Sequence, residues 1–218
     1  MPDIAKINNV AVADISKLDS ITFADGQKVN NQSVSLITEA HTLISTHTAS
    51  SSSSLDITSG IDSTYDVYEF RFENMHPATD AAEFTFQVNA AGASGFNEVI
   101  TSTKIQSYHN EADSDNALSY ASAYDQAQGT AYQTINTNGG FDNDQGCSGV
   151  LTLYAPSSKT YVKHFTSNMN GAHSGDVTIQ ALVAGYINVT SAIDEISFAM
   201  SSGNIDAGVI KMYGIAKA

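Results

Sequence analysis

Two acidic segments contain the side chains best suited to binding a metal ion. One runs from Glu111 to Asp115, with Asp113 between them, and the other contains Asp142, Asn143 and Asp144. Ca²⁺ takes about six to eight oxygen ligands, and such carboxylates could supply several of them. Neither segment has the loop pattern and closing glutamate of an EF-hand. The sequence therefore favours solvated acidic loops, and we expect neither a bound metal nor any other cofactor.

The nucleophilic and basic side chains form no catalytic motif. His109 is the one histidine with close acidic neighbours, Glu111 and Asp113, and a surface loop is the expected reading. No HExxH spacing, nucleophile elbow, P-loop or paired-carboxylate motif occurs among the other histidines and serines. A glycosidase with two carboxylates far apart in sequence stays open. We expect no catalytic residues and no enzymatic activity. The six histidines are His41, His47, His76, His109, His164 and His173.

Five tyrosines could form a saccharide-binding surface, because aromatic rings stack on sugars. Tyrosine is also enriched in cores and at subunit interfaces. The sequence favours the core or interface interpretation for these residues: Tyr108, Tyr120, Tyr124, Tyr132 and Tyr154.

The composition excludes several classes of protein. The formal net charge is −14 and the nine basic residues are scattered, so nucleic-acid binding is not expected. The single cysteine, Cys147, allows neither an intrachain disulfide nor a cysteine zinc site, and we expect it to be buried or half-buried. No apolar run reaches the length of a membrane helix, and the first residues do not resemble a signal peptide. We expect synthesis in the cytoplasm and no contact with a membrane.

An eleven-residue period organises the first 34 residues. Lys6-Ile7-Asn8, Lys17-Leu18-Asp19 and Lys28-Val29-Asn30 align, and turn-forming pairs such as Asn8-Asn9 and Asn30-Asn31 follow or overlap them. Closely spaced turns predict short strands and not a helix. Each copy has too few aliphatic residues to be stable alone, so it must pack on its own domain or on a neighbouring subunit. We predict an N-terminal anchor at 1–45 and a serine-rich linker at 46–60.

The remaining residues, 61–218, predict one antiparallel β domain. In the stretch from Ile61 to Asp80, Tyr68, Phe70 and Phe72 alternate with polar residues and share one side of a strand. About nine short strands follow one another between turn signals, which is typical of a β-sandwich, most plausibly a jelly roll. Residues 33–45 are ambiguous between strand and helix, and residues 118–128 between a short helix and an irregular crossing.

Several of these segments resemble virion structural proteins of marine tailed bacteriophages. The resemblance covers Ile61 to Asp80, the turn from Asn143 to Gly149, the strand from Val162 to Phe165 and the ending from Ser202 to Ile215. The Lys-aliphatic-Asn repeats resemble N-terminal attachment segments of phage tail and appendage proteins, although Asn9 and Ser20 stand where glycine is common. The resemblance implies a structural component of the virion.

The expected function is therefore structural. We expect a non-enzymatic virion protein, anchored by its N-terminal region and displaying a β-sandwich, in a tail-fibre or baseplate appendage. A capsid decoration protein and a carbohydrate-binding module are the alternatives. The expected partners are other virion proteins, further copies of the chain in a homotrimer, and a host-surface glycan.

Overall fold

The chain forms two compact units, Met1–Glu39 and Ala40–Ala218. The computed structural model describes residues 41–215 and, in the first unit, the backbone of residues 6–7, 10–11, 28–29 and 32–33. Strands β1 (Lys6–Ile7) and β2 (Val10–Ala11) pair antiparallel, as do β3 (Lys28–Val29) and β4 (Gln32–Ser33). The two asparagine pairs identified as turn signals separate these strands in the sequence. The strand predicted around Lys17 lies outside the described residues.

The second unit consists of β-strands joined by turns, and residues 41–215 contain no α-helix. One 3₁₀ turn, Ser122–Tyr124, occurs in this described range. The strands are β5 (His41–Ser52), β6 (Leu55–Ile57), β7 (Val67–Pro77), β8 (Ala82–Ala90), β9 (Ile100–Asn110), β10 (Asn116–Tyr120), β11 (Ala127–Gly129), β12 (Gln133–Gly139), β13 (Cys147–Tyr154), β14 (Lys163–His173), β15 (Val177–Ile187), β16 (Ile193–Met200) and β17 (Ile205–Ile215).

The strand order is that of a jelly roll. Strands β5-β17-β7-β13 are neighbours in one sheet and β6-β16-β8-β12 in the other, and a single pair, Gly139 opposite His173, joins the two through β12 and β14. Strands β5, β6, β7 and β8 lie alternately in the two sheets, whereas β8 and β12 lie in the same one, which is the order of two Greek keys. Strands β14, β15 and β9 extend the first sheet beyond β13, and β10 and β11 both pair with β9. We call the extended sheet the large sheet and the other the small sheet. The antiparallel β-sandwich expected from the sequence is confirmed.

The core lies between the two sheets and is rich in aromatic residues. Tyr68, Phe70 and Phe72 on β7 all point inward and are at most 2% exposed, as their alternation predicts. The Phe198 ring, from the small sheet, lies 5.6 Å from the Phe70 ring and 5.2 Å from the Phe72 ring, measured between centroids. These contacts join the two sheets face to face.

The structure differs from the predicted linker at 46–60. Residues 41–52 form β5, which pairs with β17 from Ser52 opposite Ile205 to His41 opposite Ile215, and Leu55–Ile57 form β6. The physical reason is that a strand at a sheet edge is held by its backbone hydrogen bonds. Only Ala49 of β5 is buried, so serine and threonine at the other positions carry little cost. Serine content alone therefore did not distinguish an edge strand from a linker.

The structure also defines the ambiguous segment 118–128 and the end of β7. Residues 118–128, ambiguous in the sequence, form the end of β10, the 3₁₀ turn and the start of β11. Strand β7 continues through Met75 and ends at Pro77. Proline can occupy this last position because the pairing of β7 with β17 is irregular there: Pro77 lies opposite Ile205, and the register shifts before Ala207.

Candidate functional site

One half of the large sheet presents an outer surface that carries no charge. Its outward side chains come from β13, β14, β15, β9 and β10, and the register places Val150 opposite Asn168, Asn168 opposite Leu182, and Leu182 opposite Ile105. We call this surface the neutral face. Its residues are Val150, Thr152, Tyr154, His164, Thr166, Asn168, Gln180, Leu182, Ala184, Thr103, Ile105, Ser107, Leu118 and Tyr120.

The neutral face contains no Asp, Glu, Lys or Arg among these residues, all of which lie within 41–215. This is unusual in a chain with 23 acidic and nine basic residues. Charged side chains return on the neighbouring strands β7 and β17, where Arg71 Nη2 lies 3.0 Å from Glu69 and Lys211 Nζ lies 2.6 Å from Glu73. The loss of charge is therefore confined to one half of the sheet.

Exposed apolar side chains concentrate on the same surface. Of the eight large hydrophobic residues exposed within the described chain, five lie on the neutral face. At its centre Ile105, Val150 and Leu182 border a shallow groove of about 310 Å³. The five residues are Ile105, Leu118, Tyr120, Tyr154 and Leu182. Clustered apolar side chains of this kind mark contact surfaces more often than scattered ones do.

Buried lysines lie on the inner side of this half of the sheet. Lys104 is 0% exposed, its ammonium has no hydrogen-bond partner, and it lies 4.1 Å above the Tyr124 ring. Burial lowers the pKa of Lys104 to about 8, which the nearby Glu83 carboxylate partly opposes. Lys163 is also fully buried, but its Nζ donates to the carbonyl oxygens of Tyr161 and Val189. Burial lowers its pKa as well.

A second candidate site lies where several loops meet at one end of the sandwich. We call it the loop-end groove: two adjoining hollows of about 590 and 460 Å³ that share Asp144, Gln145 and Asn170. His76 helps to fix it, since its Nε2 lies 3.1 Å from the Asp142 carbonyl oxygen. Burial lowers the pKa of His173, which lines the second hollow, and the Asp80 carboxylate opposes this effect.

The two acidic segments identified in the sequence meet in this groove. Glu111, from the turn between β9 and β10, lines the same hollow as Asp142 and Asp144, which precede β13. Within residues 41–215, no three His, Cys, Asp or Glu side chains are grouped so as to hold a metal ion. His109 Nε2 lies 3.0 Å from the Asp113 carboxylate, and both side chains are largely exposed. The groove therefore offers hydrogen-bonding groups and negative charge.

The five tyrosines do not form one platform. The hydroxyl groups of Tyr108 and Tyr120 donate to Asp115 and Asp125, whereas Tyr132 reaches Ser197 in the small sheet. Tyr124 covers Lys104, and the Tyr154 hydroxyl lies 3.2 Å from Thr166 Oγ1. Only Tyr120 and Tyr154 belong to the neutral face.

Cys147 is buried at the start of β13, and burial raises its pKa to about 12. The thiol is thus inert at neutral pH, in agreement with the expectation of a buried residue.

The sequence reasoning missed Ile105, Val150 and Leu182. A signal for Leu182 was present: Ile179, Ala181 and Val183 alternate inward along β15, so the apolar residue between them must point outward. Ile105 gave the opposite signal, because alternation would place an isoleucine inside and the adjacent lysine outside.

No protein family, curated protein or solved structure matches this chain. In the described part of the chain, no helix has the length and apolar character needed to cross a bilayer.

Proposed function

We propose that this protein is a non-enzymatic structural component of a phage virion, most plausibly of a tail-fibre or baseplate appendage. The N-terminal unit, residues 1–39, attaches to other virion proteins, and the jelly roll is displayed from the particle. The displayed domains associate as a homotrimer, and a host-surface glycan is a further partner. The protein is made in the host cytoplasm and resides in the virion.

The neutral face is the observation that carries a structural role. A broad surface without Asp, Glu, Lys or Arg and with exposed leucine, isoleucine and tyrosine suits contacts between proteins. Jelly rolls also occur in viral capsid and lectin domains, which supports the proposal by analogy of fold. The resemblance of the repeats to phage attachment segments supports the virion location.

Immunogold electron microscopy tests the location. Antibodies raised against the full chain are applied to phage particles, which are purified from lysates of the culture from which the gene was obtained. Gold at the tail or baseplate is the expected result. Gold distributed over the head would favour the alternative, a capsid decoration protein that clamps neighbouring capsid subunits. Particles without gold, in a lysate whose soluble fraction contains the protein, would overturn the virion assignment.

The loop-end groove favours a second candidate function, binding of a saccharide. Its lining combines side-chain amides, carboxylates and imidazoles, including Asn143, Gln145 and His76, which can hydrogen-bond to sugar hydroxyl groups. A glycan array probed with the full chain tests this function. Binding should be lost in Asn143→Ala and kept in Asp194→Asn, a change on β16 of the small sheet. Absence of any binding by the unaltered chain would remove this candidate.

A further inference from the structure

We propose that the neutral face is a self-association surface, covered in solution where the same faces of two or three copies of this chain meet around a symmetry axis. The inference rests on the proposed structural role but not on the virion location. It assigns the partner, a further copy of the chain, and the residues at the centre of the contact, Ile105, Val150 and Leu182.

The charge distribution of the chain favours a further copy of the chain as the partner at the neutral face. Each chain carries a formal net charge of −14, so two copies repel one another over most orientations. Like charges brought together at a desolvated contact oppose association strongly. The neutral face is the described surface on which two identical acidic chains can meet without placing carboxylates against each other. A basic partner would instead bind where the acidic residues are, for example at Asp142 and Asp144 in the loop-end groove.

The apolar side chains supply the attraction. Ile105 and Leu182 are 46% and 45% exposed and lie directly opposite each other on neighbouring strands. Val150 continues the row two strands away, and Asn168 stands between it and Leu182. Removing such side chains from water favours association, because burial of apolar surface is the main favourable contribution to most contacts between proteins. Tyr120 and Tyr154, which flank this centre, belong to a residue type that interfaces favour.

The borders of the neutral face resemble an interface rim. On one side lie the paired charges of β7 and β17, Glu69 with Arg71 and Glu73 with Lys211. A desolvated centre without charges and a polar, hydrated rim is the usual anatomy of a specific interface. Thr103, Thr152 and Thr166 beside the centre have short side chains, which allow close approach of a second sheet.

The mass of the full chain in solution gives the first test. Sedimentation equilibrium should give a dimer or trimer. Leu182→Asp should raise the dissociation constant by about 100-fold or more, since it places a carboxylate at the centre of the contact. Leu43→Asp is the matched control, because Leu43 is a leucine of the same sheet, 50% exposed, on the edge strand β5. It should leave the mass unchanged. Circular dichroism and thermal melts check that both variants fold.

A monomeric unaltered chain, at concentrations up to about 1 mM, would overturn the proposal. So would an assembly that Leu43→Asp disrupts while Leu182→Asp leaves it intact.

Thiol labelling measures whether the neutral face itself is covered, even if the N-terminal region also holds copies together. The native Cys147 is buried and does not react, so a cysteine introduced at position 182 or 43 is labelled alone. Leu182→Cys should react with a polyethylene-glycol maleimide at least about tenfold more slowly than Leu43→Cys, and dilution should abolish the difference. Equal rates in the assembled protein overturn the proposal. Slow labelling of a monomer also overturns it, since residues 1–39 of the same chain would then cover the face.

These outcomes separate this inference from the proposed function. A monomeric chain that labels phage tails would leave the virion role standing and remove the self-association surface. If the neutral face is buried between copies but the protein is absent from particles, the self-association surface stands and the virion role is removed.

Discussion

On β7 and β17 the outward side chains of the large sheet are charged and paired, whereas on β13, β14, β15 and β9 they carry no charge. The inner sides of the two halves differ as well. Phe70 and Phe72 under the charged half belong to an aromatic cluster, while the neutral half has the buried Lys104 beneath it. One half therefore has an aromatic core beneath a charged surface, whereas the other has the buried Lys104 and Lys163 among its apolar inner residues beneath an uncharged surface. A buried ammonium group and exposed leucine and isoleucine side chains both cost stability in an isolated subunit, and the exposed apolar side chains suit a surface that is covered on assembly.

The largest expected effect concerns the aromatic core beneath the charged half. Phe198→Ala removes a ring that contacts Phe70, Phe72 and Phe84 and leaves a cavity. We expect a loss of about 3–5 kcal/mol in the free energy of unfolding, measured by urea denaturation. Phe141→Ala is the control, because Phe141 is 49% exposed, and its effect should stay within about 0.5 kcal/mol. Equal losses would contradict the placement of the core.

Replacing the buried Lys104 on the inner side of the neutral half should raise the free energy of unfolding, whereas Phe198→Ala lowers it. The folded pKa of Lys104 is about 8, below its unfolded value, so between these two values the unfolded chain binds more protons and stability rises with pH. Below pH 8 the destabilisation is complete. Lys104→Met should therefore stabilise the protein by about 2 kcal/mol at pH 7, after allowance for screening and for the lost contact with Tyr124.

Denaturation of both proteins from pH 7 to pH 10 measures this effect. The stability gained by Lys104→Met over the unaltered chain should shrink as the pH rises above 8. The tyrosines and the cysteine titrate in both proteins, so their contributions cancel in this difference. A constant difference across this range would show that burial of the charge is not its cause.

The salt dependence of the dissociation constant should show which outer surface forms the contact. Raising NaCl from about 10 to about 150 mM shortens the Debye length from about 30 to about 8 Å. Because the copies repel through their net charge and meet through uncharged residues, the dissociation constant of the assembly should fall several-fold. Sedimentation equilibrium at the two salt concentrations measures it. An assembly that weakens in salt would indicate contact through ion pairs and would assign association to the charged half.

The smallest expected effect is loss of an ion pair on the charged half. Arg71 is 44% exposed on its side chain and contacts both Glu69 and the Tyr213 ring. Arg71→Met should change the free energy of unfolding by at most about 1 kcal/mol and leave the mass of the assembly unchanged. A change in mass would extend the interface across β7.

Sequence and structure agreed where side-chain alternation matched burial. Tyr68, Phe70 and Phe72 are buried at alternate positions of β7, and Ile179, Ala181 and Val183 on β15, because the pleat of a strand sends successive side chains to opposite faces. Turn signals between such runs were enough to predict an antiparallel sandwich. The serine-rich segment 46–54 gave no comparable signal, since an edge strand needs a partner backbone and few buried side chains.

By itself the sequence determined the fold class, the inward side of β7 and the net charge, and it predicted that Cys147 would be buried or half-buried. Only the tertiary structure decided that β13, β14, β15, β9 and β10 would lie side by side, because strand order depends on pairings between distant segments. It also decided the orientation of β9, where Lys104 points inward beneath Tyr124 and Ile105 outward beside Leu182. Local alternation favours the opposite orientation. Strand β9 pairs with β15 over eleven residue pairs, in a register that places the buried Ile100 opposite the buried Ile187 and therefore Lys104 opposite the inward Val183.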